Sequence, residues 1–209
     1  MITESAPAVV AALAPVWRAV LAASHRALEQ AVADVAADQW QLPTPCSEWS
    51  VTQVVQHAAG DQLAYASALG VGAGPAEDPF APSGQLDGTA AALVENAIAV
   101  TATAWATVTD AAETVPTPLP HGPLPTPIAA VLCALDAAVH AWDIAVATGR
   151  PSPLTDELAG HLLAAATGTV EPLRQWGAYG PVVDAAGQSA TPAVDELLRY
   201  LGRDPRVPS

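Results

Sequence analysis

An all-helical fold is expected for this chain, on three observations. Alanine, the best helix former, dominates the sequence. Valine and threonine are common but seldom alternate with polar residues over a strand-length window. The 20 prolines then read as punctuation between helices. With 209 residues, 51% hydrophobic and 13% charged, the chain can bury a large core in one domain with an appendage or in two small domains.

The first helix is expected from about Ala8 to Ala37, with Val9, Leu13, Val16, Val20, Leu28 and Val32 at helical spacing and a break or kink at Pro15. The second begins at a capping box. Ser50 caps, Gln53 reciprocates, and Trp49 and Val54 stand at the positions of a hydrophobic staple. Val51, Val54, Val55 and Ala58 make its apolar face, and Gly70, Gly72 and Gly74 follow its end near Leu69. Residues 70–88 read as an exposed loop. A third helix spans about Thr89 to Ala112, and a proline-rich connector runs from Pro116 to Pro125. The fourth helix takes Thr126 as cap and Pro127 in its first turn, and stops at Thr148-Gly149. Four long helices with intervening loops suggest a bundle over residues 1–150. Residues 151–209 form a helical extension packed on it, with helices over Thr155 to Trp176 and from Thr191-Pro192 to Leu201, ended by Gly202.

The formal net charge is −14, from 21 acidic residues against seven basic ones, all of them Arg. Such a surface lacks the cationic footprint that nucleic acids and anionic lipids require. Two cysteines, Cys46 and Cys133, are too few for a disulfide framework, and no signal peptide is visible, so a reduced, cytoplasmic protein is expected. Ile128 to Thr148 is apolar enough to cross a bilayer. It contains Asp136 and Asp143, however, each costing about 2.5–3.5 kcal/mol near a bilayer centre, and reads as a buried helix.

That helix carries the chemistry. Asp136, His140 and Asp143 are four and then three residues apart and share one stripe, which Cys133 extends. Buried carboxylates need a partner, a hydrogen bond or a metal. Asp136 and His140 can hold one ion from one helix, and His57, beside the apolar face of the second helix, is the candidate third ligand, with Asp61 a turn further on. Two imidazoles and a carboxylate leave coordination positions open, the catalytic pattern. On spacing alone, a core ion pair fits these residues as well. Asp143 is a candidate acceptor orienting a ligand, or an anchor for a helix end. His121 reads as a connector histidine that could reach the pocket. Cys46 lies near a helix N-terminus where thiolate is favoured, though packing explains its place equally well. Cys133 reads as a small core residue, His25 and His161 as surface or core histidines, and Trp17, Trp40, Trp105 and Trp176 as core or pocket wall.

Leu42-Pro43-Thr44-Pro45-Cys46-Ser47-Glu48-Trp49-Ser50-Val51, with His57 beyond it, resembles the start of the mycothiol-dependent maleylpyruvate isomerase N-terminal family of the DinB-like superfamily. His140-Ala141-Trp142-Asp143-Ile144-Ala145 with Thr148-Gly149 resembles its second hallmark, and Leu201-Gly202-Arg203-Asp204-Pro205 the tail of its short actinobacterial branch. The resemblance implies a DinB-like four-helix bundle binding a divalent metal through His57, Asp136 and His140. Zinc is the first choice, with nickel or iron as alternatives. Asp136 stands where the family usually has Glu, one methylene longer. Mycothiol is the implied co-substrate, and a thiol-dependent transferase or isomerase acting on a small electrophile the implied activity. A transferase is favoured because a dicarboxylate substrate would need a local arginine and few are available, Arg150, Arg174 and Arg203 being candidates. A metal-dependent hydrolase and a non-catalytic metal- or ligand-binding module are the alternatives, and a homodimer is the oligomer considered.

Overall fold

The computed structural model describes residues 6–46, 48–185 and 191–206. Its first two helices, α1 (Ala6–Leu13) and α2 (Trp17–Ala33), meet at 72° across the break that contains Pro15, as expected. Helix α2 ends at Ala33, four residues short of the expected Ala37, and Asp34 caps it through its backbone. Next come α3 (Val51–Ala68), α4 (Ala90–Ala106) and α5 (Thr126–Ala147). Helices α2, α5, α3 and α4 form a closed ring in which each packs on its two neighbours, a four-helix bundle. The short helices α6 (Asp156–Ala166), α7 (Glu171–Arg174) and α8 (Ala193–Tyr200) follow, with α6 packed on α5 and α8 on α6.

Helix α5 is the axis of the molecule. Every residue from Thr126 to Ala145 is buried except Asp136. The helix is long and apolar enough to cross a membrane by length and composition, but it is the core helix here. One hydrophobic cluster joins α5 to α1, α2, α6 and α8 through residues such as Trp17, Leu135, Leu162 and Leu198. A second joins it to α2, α3 and α4 through Leu28, Val54, Ala58, Val94, Ala137 and Ala141. Each end of α5 is set by local chemistry. Gly149, at φ 68°, turns the chain so that its N–H reaches Val146 O and the Arg150 N–H reaches Ala145 O, a Schellman close.

Some elements differ from expectation. The proline-rich connector forms a small antiparallel hairpin, β1 (Thr114–Val115) with β2 (Leu124–Pro125). Thr126 is therefore already helical, and its hydroxyl donates to Ala112 O while Pro125 takes the cap position. Helix α4 stops at Ala106, where the Thr107 hydroxyl donates back to Ala104 O. The helix expected over Thr155 to Trp176 breaks after Ala166, because Gly168 adopts φ 81°. Pro192 replaces Thr191 at the cap of α8, and Thr191 Oγ1 donates to Glu196 instead.

Candidate metal centre

The capping box of α3 forms. Ser50 Oγ accepts from the Gln53 N–H at 3.4 Å and Gln53 Oε1 accepts from the Ser50 N–H at 3.0 Å. An isolated bridge between Pro43 and Ser50 ties the preceding loop to this start. With the helix anchored there, Val51, Val54, Val55 and Ala58 face the core, and His57 points at α5.

The structure brings together the three residues singled out as ligands. His57 Nε2 lies 3.4 Å from Asp136 Oδ1, and His140 Nε2 lies 3.3 Å from the same oxygen. The three donor atoms all lie within 4.8 Å of one another. The other ring nitrogens settle the protonation pattern. His57 Nδ1 is 2.9 Å from Pro79 O, which can only accept, so Nδ1 carries the hydrogen. His140 Nδ1 is 2.9 Å from Asp143 Oδ2 and donates to it. Each ring thus turns its Nε2 toward the same carboxylate oxygen, and when neutral it presents a lone pair there. Three potential ligand atoms thereby converge on one position between α3 and α5. Among the described residues, Asp136 Oδ2 is buried without a hydrogen-bond partner. A charge-assisted N–H···O bond would close to about 2.7–2.9 Å. The observed separations instead match the edge of a tetrahedron with metal–ligand bonds of about 2.0–2.1 Å, which is about 3.3–3.4 Å. The residues present fit a divalent metal, despite the shorter carboxylate.

Without a metal, a proton must do this work. Burial opposes a charge on His140, but Asp136 and Asp143 overcome it and raise its pKa to about 9. Burial likewise opposes the Asp136 charge, and His140 and then His57 override it, holding the carboxyl well below the usual range.

Behind His140 stands a second layer reaching from the far end of the chain. Asp143 is fully buried and accepts two hydrogen bonds from Arg203, Nε to Oδ1 at 2.8 Å and Nη2 to Oδ2 at 2.7 Å. Burial raises the Asp143 pKa, yet Arg203 and His140 pull it down to about 2. The guanidinium is placed by the end of α8. Gly202 has φ 83°, its N–H bonds Arg199 O, and the Arg203 N–H bonds Leu198 O at 2.8 Å. A Cβ on Gly202 would come within 2.8 Å of the Gly180 backbone. Arg203 thus orients Asp143, which orients His140.

An aromatic wall encloses His57. Trp49 packs on its ring at 4.7 Å between centroids and Phe80 meets it edge-on at 5.2 Å. Phe80 is 61% exposed, so this rim faces solvent. Loop 70–88, read only as exposed, thereby supplies both the Pro79 carbonyl and Phe80. Cys46 lies near the site, its sulfur within 4.8 Å of His140 and Asp143 donor atoms. Burial, then Asp143, pushes its thiol up to about 11, against the thiolate expected from a helix terminus.

The remaining candidates stand elsewhere. His121 sits in the hairpin turn before α5, whose first residue is ten positions from Asp136, roughly 15 Å along the axis. His25 and Cys133 are buried and bonded to Gln62. Arg150 donates to Asp34 O, and Arg174 pairs with Glu171. Trp17 and Trp105 are core, Trp40 is half-buried, and Trp176 is 72% exposed, neither core nor pocket wall.

Fold and residue set together define a DinB-like bundle protein with a candidate metal centre between α3 and α5. Residues 21–145 match the Mycothiol maleylpyruvate isomerase N-terminal domain family, and the chain belongs to that family. Two uncharacterized proteins of Mycobacterium tuberculosis, Rv0738 from strain H37Rv and MT0763 from strain CDC 1551, are each 35% identical over 180 residues. The match spans 84% of this chain and 91% of theirs. A crystal structure of a mutant mycothiol-dependent maleylpyruvate isomerase superposes with a TM-score of 0.58 at 13% identity, over 81% of this chain and 74% of that one, which shows the shared fold. Arg203 lies outside the stretch matched by the family.

Proposed function

We propose that this protein is a divalent-metal-dependent thiol transferase or isomerase acting on a small electrophilic molecule, with a mycothiol-type thiol as co-substrate and zinc as the metal. The observation that carries the reading is the convergence of two Nε2 lone pairs on Asp136 Oδ1 with both Nδ1 atoms already engaged. His57, Asp136 and His140 hold the metal. When bound, it supplies a Lewis acid that favours the thiolate form of an incoming thiol.

The chain's own residues do the rest. Arg203 and Asp143 keep the His140 ring in the tautomer that presents Nε2. Trp49 and Phe80 shield the ring of His57 from water. Cys46, with its thiol pushed up to about 11, stays protonated at neutral pH, so the nucleophilic sulfur comes from a second molecule. Addition of that sulfur to an activated double bond, rotation about the resulting single bond and loss of the same thiol isomerises the substrate. Retention of the sulfur, with a proton added at the neighbouring carbon, gives a conjugate. Arg203, the arginine beside the site, is committed to Asp143 and offers no free guanidinium to a dicarboxylate. That favours conjugation of a neutral electrophile. A reaction with a small thiol as donor belongs in the cytoplasm, where thiols are kept reduced.

The test is turnover of an electrophilic chromophore by metal-loaded protein with and without added thiol. Turnover that needs thiol, and is lost with His57→Ala, supports the reading. Turnover with water alone points to a hydrolase. Metal binding with no turnover in either case points to a binding module.

A further inference from the structure

Loop 70–88 meets α3 along one line of residues, and that line includes a metal ligand. Gln53, Gln56, His57 and Gly60 stand at i, i+3, i+4 and i+7 and share one stripe of the helix. Residues 79–85 of the loop lie along this stripe as a strap running the opposite way, Pro79 at His57 and Gly60, Pro82 to Gln85 at Gln53 and Gln56. Gln53 Nε2 donates to Pro82 O at 3.1 Å while its Oε1 completes the capping box. Gln56 is tied three times. Its Nε2 donates to Gln85 O at 2.7 Å and to Ser83 Oγ at 3.0 Å, and its Oε1 accepts from the Gly84 N–H at 2.7 Å. His57 Nδ1 donates to Pro79 O at 2.9 Å. The fourth position carries no side chain. A Cβ on Gly60 would come within 3.0 Å of Pro79 Cγ and 3.1 Å of Pro79 Cβ, so glycine is what lets the strap down onto the helix.

The chemistry of the strap makes these ties matter to His57. Pro79 and Pro82 have a fixed φ and no N–H, so the segment is stiff and offers only carbonyls at those positions. Nothing intrinsic to a neutral imidazole fixes which nitrogen carries the hydrogen. The hydrogen bond made by one nitrogen decides what the other can do. His140 has Asp143 at its Nδ1, and Arg203 holds Asp143. His57 has a loop carbonyl, which keeps its place only while the loop does.

We infer that Gln53, Gln56 and Gly60 are positioning residues of the metal centre. They seat the strap, the Pro79 carbonyl holds the His57 hydrogen on Nδ1, and Nε2 is left for the metal. They serve His57 as Asp143 and Arg203 serve His140, from a separate part of the chain. This rests on the metal reading above and adds to it three residues that touch neither the metal position nor its ligand atoms.

Two measurements on the full-length protein test it: zinc affinity by competition with a chromophoric chelator, and exchange with water of the two histidine Nδ1 hydrogens in the zinc-loaded protein, followed by nitrogen-15 NMR. Gln56→Ala should weaken zinc binding about tenfold. The His57 Nδ1 hydrogen should lose its protection from exchange while that of His140 keeps it. Gly60→Val should act in the same direction and more strongly, up to about a hundredfold in affinity. Gly60→Ala, with a smaller loss, decides in its place if the valine variant does not fold. Gln62→Ala removes a core hydrogen-bonding side chain from the same helix and controls for general loosening, so both measurements should stay at wild-type values. Affinity and exchange that Gln56→Ala and the Gly60 variant both leave intact, or losses as large in Gln62→Ala, overturn the inference while the metal reading stands. Wild-type protein that takes up no zinc overturns both.

Discussion

Helices α3 and α5 carry two buried polar clusters, and their contrast separates structure from function. In the first, Gln62 Oε1 bonds His25 Nε2 at 2.9 Å and Cys133 Sγ at 3.2 Å, Gln62 Nε2 donates to Cys133 O, and Thr101 Oγ1 donates to Gln62 O. Four helices are stitched together and every hydrogen bond of the Gln62 side chain has a partner of opposite kind. In the second, a few residues away on the same helices, the Nε2 atoms of His57 and His140 crowd one oxygen of Asp136 at 3.4 and 3.3 Å, and Asp136 Oδ2 has no hydrogen-bond partner among the described residues. A closed network is finished by folding. An open one needs something added. Burial is similar in the two, so the count of donors against acceptors is what distinguishes them.

That contrast breaks most sharply under substitution of a ligand. His57→Ala or Asp136→Asn should abolish stoichiometric metal binding, measured by elemental analysis, while the fold by circular dichroism persists. Gln62→Ala should do the reverse, keeping the metal.

Next in size is the Asp143–Arg203 pair, which serves both stability and the site. Arg203→Ala leaves a buried, unpaired carboxylate and should cost about 3–5 kcal/mol in denaturant unfolding. Asp143→Leu with Arg203→Met should recover most of that stability without restoring metal affinity, because His140 then loses the acceptor on Nδ1. Gly202→Ala should reproduce part of the loss, since its Cβ meets the Gly180 backbone at 2.8 Å.

In the closed cluster, Gln62→Ala strands His25 and the Cys133 carbonyl and should cost about 1–3 kcal/mol. A smaller effect sharpens the comparison through pH. In the metal-free protein the His140 pKa is raised from 6.5 to about 9. Its stabilising contribution is therefore fully present below pH 6.5 and is lost as pH rises through 9. Metal must displace that proton, so affinity should rise about tenfold per pH unit up to about pH 9 and level off above it. Titration calorimetry in buffers of different ionisation enthalpy would count the proton released. The smallest effect belongs to Ser50→Ala, about 1 kcal/mol from the capping box, with no change in metal stoichiometry.

How much of this is legible in the sequence follows from the range of each interaction. The capping box is local, and Ser50 and Gln53 announce it. Asp136 and His140 announce themselves as polar residues on an otherwise apolar helix, and His57 as a histidine beside the apolar face of the second long helix. The break near Gly168 comes from that glycine's positive φ of 81°, between two apolar stretches that together read as one helix. The partner of Asp143 is 60 residues away, and no local pattern ties an arginine after a helix-ending glycine to a carboxylate in another helix. Asp143 reads from sequence as an orienting residue or a helix-end anchor, and the structure assigns it to His140. Pro79 and Phe80 were hidden for the same reason, since a loop's composition says nothing about which side chain it leans on. The convergence of both Nε2 atoms on one oxygen is likewise visible only in the folded chain.

The central claim is that a cation belongs among His57, Asp136 and His140. Nitrogen-15 NMR of the two imidazoles, recorded on protein before and after addition of one equivalent of zinc at pH 7.5, tests it most directly. The account predicts that zinc shifts both Nε2 resonances to metal-bound values while both Nδ1 atoms keep their hydrogens, and that one proton is released from His140. Nε2 resonances that do not respond to zinc, with His140 doubly protonated throughout, would make the cluster a buried ion pair and contradict the claim.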